Sequence, residues 1–217
     1  MLKIFLSFIA PGSIIIPITV FIMRFTKVPS YAKWIFTYLI FSAVLNITAI
    51  IIARVFHLFN LWLFHINTIT ESFLLLQYFQ LIITNATVKS VIRVLKVAFP
   101  LFCIINFLFL QSLAVFNTYT RPVEAIIFIA LCMVYWWQAN DEDTDLSWGS
   151  IANNWIVTGL MLYFAGAFFL FLFSNYMLSS ISISERRIAM DIAWITHGAF
   201  VIIMYLLFAI GFIKCKK

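Results

Sequence analysis

The sequence predicts an all-α integral membrane protein, a bundle of seven transmembrane helices with its N-terminus outside and its C-terminus in the cytoplasm. Three observations predict it. Of 217 residues, 65% are hydrophobic and only 10% charged, whereas a soluble domain carries about 25% charged residues and needs them to face water. The apolar residues fall in runs long enough to cross about 30 Å of hydrocarbon as helix. The basic residues stand beside those runs, so the formal charge of +6 reports orientation rather than affinity for nucleic acid.

Residues 1–217 read as one transmembrane domain. The first run, 4–23, continues apolar through Met23 without a convincing cleavage site, so it is expected to be a retained helix and not a signal peptide. Pro17 in its middle should kink it and free a carbonyl. The second run, 33–54, carries Asn46. The third, 62–83, sets Asn67, Glu71, Leu75 and Tyr78 on one stripe by i, i+4 and i+3 spacing. The fourth, 92–112, carries Asn106.

The fifth run, 120–138, opens Thr120-Arg121-Pro122-Val123-Glu124 and ends in the interfacial anchor Tyr135-Trp136-Trp137. Pro122 is harmless in a first helical turn, Glu124 complements the positive helix end, and Arg121 can pair with Glu124 three residues on. The acidic loop 141–145 that follows belongs in water. The sixth run, 151–174, repeats Ala152, Gly159 and Gly166 every seven residues, a stripe suited to close packing within the bundle or between copies in a homo-oligomer. The seventh, 191–212, carries His197. Asp191 and Arg187, four apart, are expected to pair at its start, while Asp191 and His197 lie about 240° apart around the helix and share no face.

With the N-terminus outside, nine basic residues flank the spans on the cytoplasmic side and five on the outer side. That follows the positive-inside bias, to which acidic residues contribute little. Cys103, Cys132 and Cys215 lie in or just beyond apolar runs and imply no disulfide framework. The loops are too short to hold a soluble domain.

Ionisable and amide side chains inside the spans carry the functional signal, because they are costly against lipid and face a bundle interior or a water-filled cavity. At ~1.5 Å per residue, Asn46, Glu71, Asn106, Glu124 and His197 all fall in one layer of the outer half. Glu71 is the expected central anion, the others a surrounding shell, and Arg121 a neutraliser of either carboxylate or a partner for an acidic ligand. Interhelical hydrogen bonding alone can produce such a layer.

Several chemistries meet obstacles. A retinal protein needs a lysine buried in the last helix, and none occurs between Lys96 and Lys214. A zinc hydrolase needs three protein ligands with an open fourth position; His65, Glu71 and His197 could in principle supply them, but their spacing is non-specific and the last helix has no HxxxH pair. A carrier built from two three-helix halves should show internal symmetry, and here only Pro17 and Pro122 correspond loosely. No catalytic residue, resident metal or cofactor is assigned. The first reading is a membrane sensor or accessory receptor-like protein acting through a partner chain; the alternatives are a small-solute or ion transporter and an intramembrane metal-dependent hydrolase. Membrane lipids, a signalling partner and a second copy are the expected partners, and nucleic acid is not.

On Glu71, the segment Asn117-Thr118-Tyr119-Thr120-Arg121-Pro122-Val123-Glu124, the segments Tyr163-Phe164-Ala165-Gly166 and Phe173-Ser174-Asn175-Tyr176, the Pro11-Gly12 start and the closing Ala209-Ile210-Gly211, the chain resembles a group of small seven-helix membrane proteins of Bacteroidota bacteria. The resemblance covers essentially the full length. It implies a multi-pass protein of the bacterial inner membrane, of a kind that accompanies signalling histidine kinases, with Asn117, Tyr119, Arg121 and Glu124 at the matching polar positions.

Overall fold

A computed structural model describes residues 5–141, 146–179 and 183–215. The chain forms seven long helices and no other regular layer among these residues. α1 (Ile15–Arg24) is entered through a π-helical turn (Phe5–Ile9) and a short turn of α-helix (Ala10–Gly12), and leaves through a 3-10 turn (Phe25–Lys27). There follow α2 (Ser30–Arg54), α3 (Trp62–Ile82), α4 (Ala86–Ile105), α5 (Thr120–Asp141), α6 (Ala152–Ser179) and α7 (Ile183–Lys214). The seven helices follow the seven apolar runs in order, the first run taking in the turns before α1 and the fourth running past the end of α4.

Local chemistry sets the ends. Pro29 precedes α2 in extended backbone. Asn85 caps α4 by accepting a hydrogen bond from the backbone N–H of Val88 at 3.1 Å, as an N-cap amide oxygen does. α4 runs on into a π-helical turn, Asn106–Leu110, closed by Gln111 N–H donating to the Asn106 carbonyl at 2.8 Å. The first helix is interrupted at Ser13 and Ile14. Pro17 has no N–H to give the Ser13 carbonyl, and that carbonyl accepts instead from Ile16 at 3.1 Å. The expected kink thus lies one turn before the proline, and the freed carbonyl is already occupied.

Among the described residues six helical stretches are long and apolar enough to cross a membrane: Ala10–Lys27, Ser30–Arg54, Ala86–Leu110, Thr120–Asn140, Ala152–Ser174 and Ile188–Lys214. The chain is a multi-pass membrane protein whose apolar outer face meets lipid. α3 stands apart from the six because His65, Asn67, Glu71, Gln77 and Gln80 dilute its apolarity. It is also deeply enclosed, with His65, Thr68, Glu71, Ser72 and Tyr78 among its buried side chains.

The helices close into a ring. α1 packs on α7, α7 on α6, α6 on α5, α5 on α3 and α3 on α2, with a lighter contact between α2 and α1. α4 lies against α3, where Lys96 donates to the side chains of Gln77 and Gln80. The small-residue stripe of α6 is spent inside this ring. A Cβ on Gly159 would meet Phe208 at 3.2 Å and one on Gly166 would meet Phe200 at 2.3 Å, both on α7. Ala152 completes the stripe, its carbonyl 3.1 Å from where a Cβ on Gly211 would stand. The stripe therefore holds α6 against α7 within one chain.

The two ends of the bundle differ. At the end holding the α1–α2, α3–α4 and α5–α6 connections, aromatic rings seal the interior: Phe21 stacks on Phe36 with centroids 4.0 Å apart and meets Phe212 edge-on at 5.0 Å. Nearer the middle, Phe128 stacks between Phe79 and Phe164 at 6.0 and 4.9 Å. At the other end α2 and α7 diverge, and a cavity opens between them. The acidic loop 142–145 and the Arg187 side chain, with its expected pairing to Asp191, lie outside the described residues.

Candidate functional site

At the floor of the divergence Arg121 is enclosed by partners from three helices. Its Nη1 donates to Glu71 Oε2 at 2.5 Å and to Glu124 Oε2 at 2.6 Å. Its Nη2 donates to the Tyr163 hydroxyl at 2.9 Å, and the guanidinium lies over the Phe171 ring at 4.5 Å. All three charged side chains are buried. The Pro122 turn at the start of α5 places Arg121 inward, and the three-residue step brings Glu124 to the same face. An arginine buried alone in a bundle is prohibitive; pairing and hydrogen bonding are what make it tolerable.

Glu71 is the hub. Its Oε2 also accepts from Asn67 Nδ2 at 2.9 Å, one turn back on α3, and its Oε1 accepts a long 3.3 Å bond from the Tyr38 hydroxyl of α2. Four helices therefore meet through one carboxylate and one guanidinium: α2, α3, α5 and α6. Two carboxylates face a single guanidinium. Glu124 Oε1 is buried without a hydrogen-bond partner.

Above this cluster lies a cavity of about 400 Å³. Tyr38, Asn46 and Arg54 of α2, Asn67 and Glu71 of α3, Arg121, Tyr163, and Trp194, His197 and Tyr205 of α7 contribute to its wall, with Leu6, Ala10 and Pro11 from the entry to α1. Of the sequence-derived candidates, Glu71, Arg121, His197 and Asn46 share this cavity. Glu124 stands behind Arg121 and does not line it.

Asn106 is a correction. It is buried in a separate network formed by the connection between α4 and α5, which tucks back into the bundle. Asn106 Nδ2 donates to Gln111 at 3.5 Å, Gln111 Nε2 to Thr118 at 2.9 Å, and Asn117 Nδ2 to Thr68 of α3 at 3.1 Å. His65 reaches the Val115 carbonyl at 3.3 Å. Equal depth in the membrane put Asn106 beside Glu71 on paper, yet depth carries no azimuth, and α4 is not a wall of the cavity. With His65 committed to this segment, the set His65, Glu71 and His197 does not assemble, and no group of three His, Cys, Asp or Glu side chains able to hold a metal ion forms among the described residues.

Three tyrosines of the cavity wall are absent from the sequence-derived site candidates. Tyr38, Tyr163 and Tyr205 read as ordinary aromatic residues in apolar runs, although each is buried on the cavity wall. A weak signal existed: a buried tyrosine hydroxyl needs a polar partner, and three of them on different helices imply a polar interior. In the sealed half, Tyr78 donates to Asn153 at 3.1 Å and Tyr135 to Asn154 at 2.7 Å, a second polar layer below the Phe79, Phe128 and Phe164 stack.

No family model matches the chain, and no curated protein and no solved structure matches it either.

Proposed function

We propose that the chain is a receptor-like sensor of the bacterial inner membrane, with seven spans and its N-terminus outside, which binds a small ligand in the outer-half cavity and passes the change to a partner chain. One observation carries this reading: the cavity ends on a buried ion cluster that ties four helices together. A ligand competing for Glu71 loosens or tightens Tyr38, Asn67 and Arg121 at once, and so alters packing in the ring. A ligand shifts such an equilibrium only through differential contacts with the two arrangements, and the shared carboxylate supplies them. The connections between helices are too short to hold an inserted output domain, and in this reading the response passes to another protein. α3 becomes the seventh span, admissible because its polar side faces the bundle and not lipid.

A carrier is the second reading, favoured by the polar layer of Tyr78, Asn153, Tyr135 and Asn154 beneath the aromatic stack. Cavity, stack and lower layer together make an interrupted polar track.

Two measurements test the proposal, the first its topology and the second its choice between sensor and carrier. Cysteine labelling in intact cells should reach residues near 58, 116 and 184 from outside, the exposed Val115 position serving for the second, and residues near 28, 88, 143 and 216 only from the cytoplasm; outside labelling of position 143 overturns the topology. Crosslinking in native membranes should capture a signalling protein that depends on the parent sequence at Glu71. Saturable uptake by the purified chain alone in proteoliposomes, with no crosslinked partner, overturns the sensor in favour of the carrier.

A further inference from the structure

The chemistry of the cavity narrows what it can hold, on the reading that it is a ligand site. We propose that its ligand is a small organic ammonium ion, with the charged nitrogen on Glu71 and an aromatic or aliphatic body against the rings of α6 and α7. Volume is the first argument, since about 400 Å³ lies within the range of pockets that enclose small organic ligands.

Charge is the second. An anionic ligand would have to approach Arg121, whose two terminal nitrogens are already engaged by Glu71, Glu124 and Tyr163 and whose face is covered by Phe171. It would have to displace one of those partners. A cation meets the opposite situation, because the Glu71 carboxylate stands on the cavity wall and the arginine's terminal nitrogens are turned to their partners. Within Glu71 the lightly held atom is Oε1, whose bond from Tyr38 is long at 3.3 Å; both residues of that bond line the cavity. Arg54 is the other charge on the cavity wall. It sits at the end of α2, its guanidinium 5.0 Å from the Phe8 ring centroid and away from the floor.

The third argument is independent of the carboxylates. Four rings of the wall form a connected aromatic box: His197 lies 5.5 Å from Tyr163, 5.6 Å from Phe171 and 5.7 Å from Trp194. Ring faces attract ammonium groups, and boxes of this kind recognise quaternary ones. His197 Nδ1 is buried with no hydrogen-bond partner, a second acceptor for an N–H of a primary amine. Trp194 meets Phe116 at 5.6 Å, which extends the apolar wall toward the α4–α5 connection.

The test uses the full-length purified chain and four probes of similar size: phenethylamine, phenyltrimethylammonium, phenylacetate and 2-phenylethanol. Thermal unfolding in detergent reads binding, because a ligand that prefers the folded state raises the midpoint. The two cations should raise it by several degrees, and the anion and alcohol should not; the primary amine exceeding the quaternary ion assigns the N–H acceptors, and the reverse assigns the rings. E71Q, measured against its own ligand-free midpoint, should bind the cations at least about tenfold more weakly, the loss expected for a charged hydrogen-bond acceptor. Ala49→Phe, which fills the cavity from α2 and leaves the ion cluster intact, should abolish the shift. Stabilisation by phenylacetate alone, or equally by 2-phenylethanol, overturns the ammonium assignment while the cavity remains a ligand site. No shift with any probe overturns both. Cation binding accompanied by uptake into proteoliposomes keeps the ammonium assignment and removes the sensor.

Discussion

α3 and α4 are consecutive helices of 21 and 20 residues, and they divide the protein's chemistry between them. α3 carries a carboxylate and a histidine, both buried, with most of its hydroxyls and three half-buried amides; α4 is apolar beyond the Lys89, Arg93 and Lys96 of its first three turns and buries only Ile92, Phe99 and Cys103. In a water-soluble protein the assignments would be reversed, the polar helix outside and the apolar one within. Lipid is as apolar as leucine, so hydrophobicity gives no reason to hide α4, while every polar group of α3 has to find a partner in the interior. The comparison teaches that polarity here marks the inside, and that the polar residue is the one to follow when looking for function.

Breaking the buried side of the comparison should have the largest effect. Arg121→Met leaves two carboxylates buried without their cation, which costs about 3–5 kcal/mol when a buried pair loses one member; thermal unfolding and yield from membranes should both collapse. Replacing all three partners, as E71Q/R121M/E124Q, should recover much of that loss, because an uncharged cluster of similar volume has no unpaired charge. If the triple variant is no better than Arg121→Met, the damage is steric.

The lipid-facing side gives the next effect. Val97→Glu on the exposed face of α4 should hinder membrane insertion by about 2–3 kcal/mol, read as the inserted fraction in an in vitro insertion assay, whereas Val97→Ala should change stability by no more than about 0.5 kcal/mol. Equal tolerance of both would mean that this face of α4 meets protein or water. The α6–α7 seam is intermediate in kind, apolar but internal. Gly211→Ala puts a Cβ 2.7 Å from Ile156 and 3.1 Å from the Ala152 carbonyl, an overpacking cost of about 1–3 kcal/mol. Gly12→Ala, with open space around it, is the control and should be silent in the same melts.

Much of this was legible in the chain. Helix existence follows from run length, and the Arg121 and Glu124 pair from three-residue spacing. Glu71 stood out as the costly group in its helix. What spacing cannot supply is the identity of the helix opposite. Tyr38 and Tyr163 complete the cluster from α2 and α6 through side chains whose hydroxyls are invisible to hydropathy. The segment 113–119 reads as a plain connection, yet Phe116, Asn117 and Thr118 are buried because Gln111 pairs with Thr118, and Asn117 with Thr68 of α3, only when it folds inward. Asn106 went astray for the same reason: it belongs to that segment's network. The glycine stripe was read correctly as a close-packing face, and only tertiary structure names α7 as its occupant.

The claim that polarity lines an interior open to water on the outer side can be tested by comparing two positions of similar exposure. Asn46 of α2 lines the cavity, while Val94 of α4 is exposed on the bundle exterior. The native cysteines give a low background: Cys103, Cys132 and Cys215 are buried, and burial pushes the Cys215 thiol up to about 11, against a smaller opposing pull from Arg24. In intact cells a membrane-impermeant thiol reagent applied outside should modify Asn46→Cys and leave Val94→Cys unmodified, because thiolate forms only where water reaches. Modification of Val94→Cys with protection of Asn46→Cys would contradict the account.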